Sequence, residues 1–163
     1  MNEIAWTGTA SSTADEWIEL YNDGSMAVSL DGWAVYAGGE LLIVLSGSIP
    51  GNGYFLIERT DDNAVSDIPA NLTGPFKGGG LSNSGESLAL IDFSGAIVDS
   101  VDCSGGWFGE YAEKESMERI DVSAPGNDLS NWAANNGSVR VGADVGGNPI
   151  QGTPKHRNSV SAS

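Results

Sequence analysis

One histidine and one cysteine limit the chemistry that these 163 residues can do. Hydrolysis through a Ser or Cys nucleophile needs a positioned base, usually an imidazole. His156 stands between Lys155 and Arg157 near the end of the sequence, where a tail or linker position is expected. Cys103, in Asp102-Cys103-Ser104-Gly105-Gly106, reads as a small packed hydrophobe and has no second cysteine for an internal disulfide. Zinc takes about four Cys or His ligands, more than the sequence holds. No catalytic constellation emerges, and the protein reads as a non-enzyme.

Carboxylates are the abundant group. The sequence has 22 acidic residues against 7 basic ones, a net charge of −15. Phosphate backbones are bound by Lys and Arg, so nucleic acid is not an expected partner. Calcium instead takes roughly six to eight oxygens, often from Asp and Asn in one loop. Asp61-Asp62-Asn63 with Asp67 forms one such loop, and Asp121 with Asn127-Asp128 another. Neither has the Asp-x-Asp-x-Asp-Gly spacing of an EF-hand. Asp61, Asp62 and Asp67 are the candidate Ca²⁺ ligands, and no other cofactor is expected. Paired carboxylates also serve glycosidases, but among 22 acids the sequence distinguishes no pair.

Aromatic residues offer a second kind of site. Trp107-Phe108 lies between Gly105-Gly106 and Gly109, with Tyr111 nearby. Aromatics among loop glycines are hard to bury, and an exposed apolar patch marks contact sites. Trp107, Phe108 and Tyr111 are therefore the candidate ligand-binding residues, for a protein or a carbohydrate. The other tryptophans read as core. Glu19 shares a strand face with Trp17 and Tyr21. It is expected to accept hydrogen bonds or to pair with Arg59 or Arg119, with Glu3 in the same polar framework.

The elements that must position these residues are strands. Gly reaches 23 residues and charged residues only 18%, a composition suited to short strands and tight turns. In Glu16–Asn22, Ile18 and Leu20 alternate with Trp17, Glu19 and Tyr21. Strands are likewise predicted at Asn2–Thr7, Met26–Leu30, Trp33–Ala37, Leu41–Leu45, Tyr54–Arg59, Ser87–Asp92, Ala96–Val101 and Glu115–Ile120. Turns are predicted at Asn22-Asp23-Gly24, Asp31-Gly32, Gly38-Gly39, Ile49–Gly53 and Phe93-Ser94-Gly95. The nearly continuous apolar run Tyr54–Arg59 implies burial on both faces. Thr60–Gly80 reads as a long polar loop, Ser130–Asn135 as one short helical turn, and Trp132 as a plug at a core edge.

Residues 1–136 form the expected core of a single domain. Large apolar residues almost vanish after Gly137, so 137–163 is expected to be a final strand or a Gly/Pro/Ser-rich linker. No basic n-region with an apolar stretch precedes Asn2–Trp6. The sequence is expected to be a piece of a longer exported protein whose export signal lies upstream. No window has about 18 consecutive apolar residues, so no membrane insertion is expected.

Three segments taken in order carry a family resemblance: Asn2-Glu3-Ile4 with Trp6, Glu16-Trp17-Ile18-Glu19-Leu20-Tyr21-Asn22, and Leu30-Asp31-Gly32-Trp33. Ile49–Ile57 and Leu81–Leu90 continue the series, followed by Val98–Val101, Trp107, Ser116–Arg119, Asn131-Trp132 and Gly152-Thr153-Pro154. The ordered set resembles the prokaryotic branch of the lamin tail domain. That resemblance implies an all-β, immunoglobulin-like sandwich of about seven to nine strands. It also implies a non-catalytic, extracellular or cell-surface module for protein binding, attachment or targeting, its partner a protein or cell-envelope component. The alternative it leaves open is a Ca²⁺- or carbohydrate-binding accessory domain of a secreted hydrolase or nuclease. Lys155-His156-Arg157 departs from the family's Gly-Thr-Pro-Gly-type ending, and Gly78–Gly80 reads as an insertion.

Overall fold

The computed structural model describes residues 1–38 and 41–162, Leu41 by its backbone alone. In chain order the strands begin with β1 (Glu3–Ala5), β2 (Trp17–Asn22), β3 (Val28–Ser29), β4 (Ala34–Ala37), β5 (Leu41–Val44) and β6 (Ser48–Ile49). They continue with β7 (Gly53–Glu58), β8 (Leu72–Thr73), β9 (Phe76–Lys77), β10 (Ser87–Ile91), β11 (Ile97–Asp102), β12 (Met117–Arg119) and β13 (Trp132–Ala134). Among the described residues, nine of these have three residues or more, and the other four are two-residue pairings.

Two sheets make the sandwich, one of six strands in the order β13-β12-β1-β2-β7-β8 and one of five in the order β11-β10-β4-β5-β9. A small β3–β6 pair sits beside them. Side chains at alternate positions face the space between the sheets, as the period of a strand requires. From the larger sheet come Ile4, Ile18, Leu20, Phe55, Ile57, Met117 and Trp132. From the smaller come Val35, Ala37, Ile43, Leu88, Leu90 and Val101. The fold is the all-β immunoglobulin-like sandwich that the sequence implied.

The larger sheet is buried on its outer face as well. There Ala5, Trp17 and Leu56 pack under Ala64, Val65 and Ile150. This second layer explains why Phe55, Leu56, Ile57 and Glu58 of β7 are all buried, the two-sided burial expected of that run. Residues 60–80, read as a polar loop, contain β8 and β9. They cross from the larger sheet, where β8 runs parallel to β7, to the smaller, where β9 pairs with β5. Leu72 and Phe76, packed against the core, hold the crossing in place.

Other expectations shift in detail. The Met26–Leu30 strand contracts to Val28–Ser29, and Met26 is exposed, because the only partner here is the two-residue β6. A single 3-10 turn at Leu129–Asn131 precedes β13. Trp132 is buried and belongs to that edge strand, its indole N–H donating to Gly126 O at 2.7 Å. Gly38 takes a left-handed φ of 55° at the end of β4, while Gly39 lies outside the described residues. Residues 137–162 hold an isolated bridge between Ala143 and Pro149 and lie over the outer face of the larger sheet.

Candidate functional site

The central strands of the larger sheet bring acids together. Glu3 is the register partner of Glu118 on one side and of Glu19 on the other. Alternation points all three to the outer face, and none has measurable exposure. Like charges at directly opposed positions repel, so the arrangement depends on what covers it. The cover is the segment 137–162 with Asn2, Ser116 and Asn135. Glu3 Oε1 accepts from Ser116 Oγ at 2.5 Å and from the Thr153 N–H at 2.8 Å. Glu3 Oε2 meets only Thr153 Oγ1, at 3.0 Å. Glu118 Oε1 faces Asn135 Nδ2 at 2.6 Å and Thr153 Oγ1 at 3.1 Å. Its Oε2 accepts from Ser159 Oγ at 2.7 Å and the Val160 N–H at 3.3 Å.

Glu19 accepts from Asn2 Nδ2 at 2.9 Å and from the Lys155 N–H at 2.6 Å. Of the two expectations for Glu19, hydrogen bonding is what the structure shows, and among the described residues neither Arg59 nor Arg119 pairs with it. Arg59 lies 3.5 Å from Glu16, and Arg119 lies 2.7 Å from Asp99. The reason is the alternation itself. Glu16 projects toward the inner side, where it also accepts from the Leu81 N–H. Arg119 reaches across the end of β1 to Asp99, Met1 O and Ala124 O. Burial, with Glu118 and Glu19 alongside, holds Glu3 well above the ordinary carboxyl value. Burial likewise pushes Glu19 up to about 8, against the opposing pull of the Lys155 N–H and Asn2. Glu3 and Glu19 thus belong to one buried polar framework, while Arg59 and Arg119 each belong to a separate ion pair.

The proposed Ca²⁺ ligands are not gathered. Asp61, Asp62 and Asp67 are all exposed. Asp62 accepts from the Ala70 N–H, and Asp67 from the Ala143 N–H. Asp62 closes its own loop and Asp67 ties that loop to the 137–162 segment, and among the described residues no three His, Cys, Asp or Glu side chains are grouped to hold a metal ion. Asp121 and Asp128 cap local turns at Ser123 and Ser130.

The aromatic candidates do come together, but facing inward. Trp107 stacks on Trp6 with ring centroids 6.2 Å apart and donates its indole N–H to Ser82 O. Phe108 O accepts from the Trp6 indole, and both Trp107 and Phe108 pack, half-buried, against the core. Only Tyr111 is exposed, and the Lys114 ammonium sits over its ring. Glycines on either side let the loop turn back so that Trp107 and Phe108 are half-buried, more covered than the sequence inference expected. Cys103 is buried beside Met117, and burial pushes its thiol up to about 11. His156 is exposed, and its ring Nδ1 contacts the neighbouring Arg157 O.

One surface escaped the sequence reading. On the outer face of the smaller sheet, Leu42, Tyr36, Ala89 and Ser100 are successive register partners across four strands. Beside them runs the row Val44, Ala34, Ile91 and Ile97. Across these four strands the tyrosine is the one ionisable side chain in the rows, but Lys77 on β9 is the next register partner of Leu42, and Asp102 stands two positions beyond Ser100 on the same face. Tyr36, Val44 and Ile97 are exposed by 46%, 49% and 69%. The available signal was alternation in Ala34–Ala37 and Ser87–Ile91, where both faces are apolar and periodicity cannot say which is covered.

Among the described residues, no helix is long and apolar enough to cross a membrane. A family model described as Lamin Tail Domain matches residues 1–105, which span β1 to β11. The resembling segments from Trp107 onward lie beyond that match. No curated protein and no solved structure matches the chain. With well over half of its length matched, and matched on the strands that build this sandwich, the chain belongs to the lamin tail domain family of non-catalytic, immunoglobulin-like modules.

Proposed function

We propose that this domain is a module for protein binding, attachment or targeting, carried by a larger exported prokaryotic protein and working at the cell surface or outside the cell. The observation that supports it is the largely apolar pair of rows across β5, β4, β10 and β11 of the smaller sheet. In a chain of net charge −15, an exposed apolar stretch with its charges, Lys77 and Asp102, at the margins is where a partner's surface would sit. Interface centres are depleted of charge in the same way, and exposed apolar patches mark contact sites. The occupant is a protein of the cell envelope with a matching uncharged face. The accessory-domain alternative has less behind it, since among the described residues no three acidic, Cys or His side chains are grouped to hold a metal ion and Trp107 packs half-buried against the core.

The test is co-sedimentation of the purified domain with cell-envelope fragments. Val44→Lys and Ile97→Lys each place a cation in the rows and are expected to weaken binding by about tenfold or more. Both positions are exposed, so Tm should stay nearly constant. Equal sedimentation of wild type and both variants would remove this face from the reading. Absence of wild-type sedimentation would remove envelope attachment.

A further inference from the structure

The contacts of Thr153 count hydrogens. Its single hydroxyl hydrogen faces three acceptor oxygens: Glu3 Oε2 at 3.0 Å, Glu118 Oε1 at 3.1 Å and Asn158 Oδ1 at 3.3 Å. A hydroxyl donates once and accepts with its lone pairs. Two ionised carboxylates on either side of it cannot both be satisfied.

The other contacts decide where the missing hydrogen sits. Both oxygens of Glu118 receive donors from outside the ladder: Asn135 Nδ2 on Oε1, and Ser159 Oγ with the Val160 N–H on Oε2. That is the pattern of an acceptor-only carboxylate. Glu3 is asymmetric. Its Oε1 is saturated by Ser116 Oγ and the Thr153 N–H, whereas Oε2 touches Thr153 Oγ1 alone. A hydrogen on Glu3 Oε2 closes the chain, with Glu3 donating to Thr153 Oγ1 and Thr153 donating to Glu118 Oε1. Among the described residues no side-chain cation bonds to either acid to take that hydrogen's place.

We propose that residues 137–162 form a proton-held clasp, latched onto the larger sheet by one hydrogen in the Glu3–Thr153–Glu118 chain and loosened when that hydrogen is lost. Loss of the proton leaves the one Thr153 hydrogen to serve Glu3 or Glu118 but not both, so that one of the two contacts becomes a contact between acceptors, and it places opposed carboxylates on adjacent strands. The strain falls on the segment, because Thr153 belongs to it and the sheet is held independently by its ladders. Facing groups act in both directions. Glu19 on β2 adds negative charge when ionised, Tyr54 on β7, pushed up to about 12 by burial, stays neutral over this range, and Lys155 and Arg157 in the segment oppose the acids. The clasp is independent of what the smaller sheet binds.

Hydrogen exchange on the intact domain at about pH 5 and pH 9, corrected for intrinsic rates, tests the clasp. The Thr153, Lys155 and Val160 amides should lose protection about tenfold more than amides of β4 and β10. Glu3→Gln supplies an N–H at the Oε2 position and a carbonyl at Oε1, so it should fold, remain clasped and flatten that pH response. Carboxyl ¹³C shifts in the wild type give a reading that needs no variant: Glu3 protonated near pH 6. Uniform or pH-independent protection overturns the proposal. So does a Glu3→Gln profile matching wild type, or Glu3 found ionised at pH 5.

Discussion

Gly152 is buried where a Cβ would stand 2.5 Å from Glu3 Oε1, 2.9 Å from Ser116 Oγ and 3.1 Å from Trp17 Cζ2. None of these can retreat, since the carboxyl is held from two sides and the indole is part of the outer apolar layer. Gly152→Ala is therefore expected to cost about 1–3 kcal/mol by overpacking. It should appear as a lower urea midpoint with an unchanged slope, and an unaltered midpoint would mean that the covering segment lifts freely. Residue-level detail was the least legible in the sequence. The face of Glu19 followed from the period of its strand, but its partners did not. Asn2 and the Lys155 N–H are separated from it by 17 and 136 positions. Neither an asparagine nor a backbone N–H carries a signature that marks it as the partner of a distant acid.

Element-level expectations divide by what holds each element. Strands with an apolar face, such as β2, β7, β10 and β11, were legible because hydrophobic periodicity reports burial. The segment 137–162 was not, because it is held mainly by polar bonds to Glu3, Glu19 and Glu118 and buries few large apolar side chains. Composition alone makes such a stretch look like a tail. The 105–111 loop misled for the opposite reason, since its glycines were read as exposure and in fact permit Trp107 to fold back onto Trp6. Trp107→Ala is accordingly expected to act on stability, by about 2 kcal/mol for a half-buried, hydrogen-bonded indole. That corresponds to a Tm lower by roughly 4–8 °C for a domain of this size. Calorimetry checks it, and an unchanged Tm would show that the stack contributes nothing.

The whole molecule titrates as a protein with two opposed sets of acids. Burial raises Glu3 and Glu19, and also Glu16 and Glu58, each to about 7, above an ordinary value of 4.5. The folded state holds these protons more tightly than the unfolded chain. Their contribution is therefore complete below about 4.5 and is lost as pH rises through the folded values. Asp99, beside Arg119 and the N-terminal ammonium, is lowered, as is Asp102, to about 2 by Ser87 and Ser104. Those contribute above the unfolded value of 3.8 and fade as pH falls below it. Stability should peak in mild acid, with Tm falling by about 5 °C or more between about pH 5 and pH 8. A scan of Tm against pH decides it, and a maximum at neutral pH or above would contradict the assignment of the raised acids. The central position of β1 has a further, kinetic consequence. Its partners are β2, close by, and β12, more than a hundred residues on, with Thr153 and Asn158 capping the same strand from positions later still. Such nonlocal pairing is slow, because a long loop must close before its contacts form. The N-terminal half therefore cannot complete its larger sheet until β12, β13 and the covering segment have been synthesised.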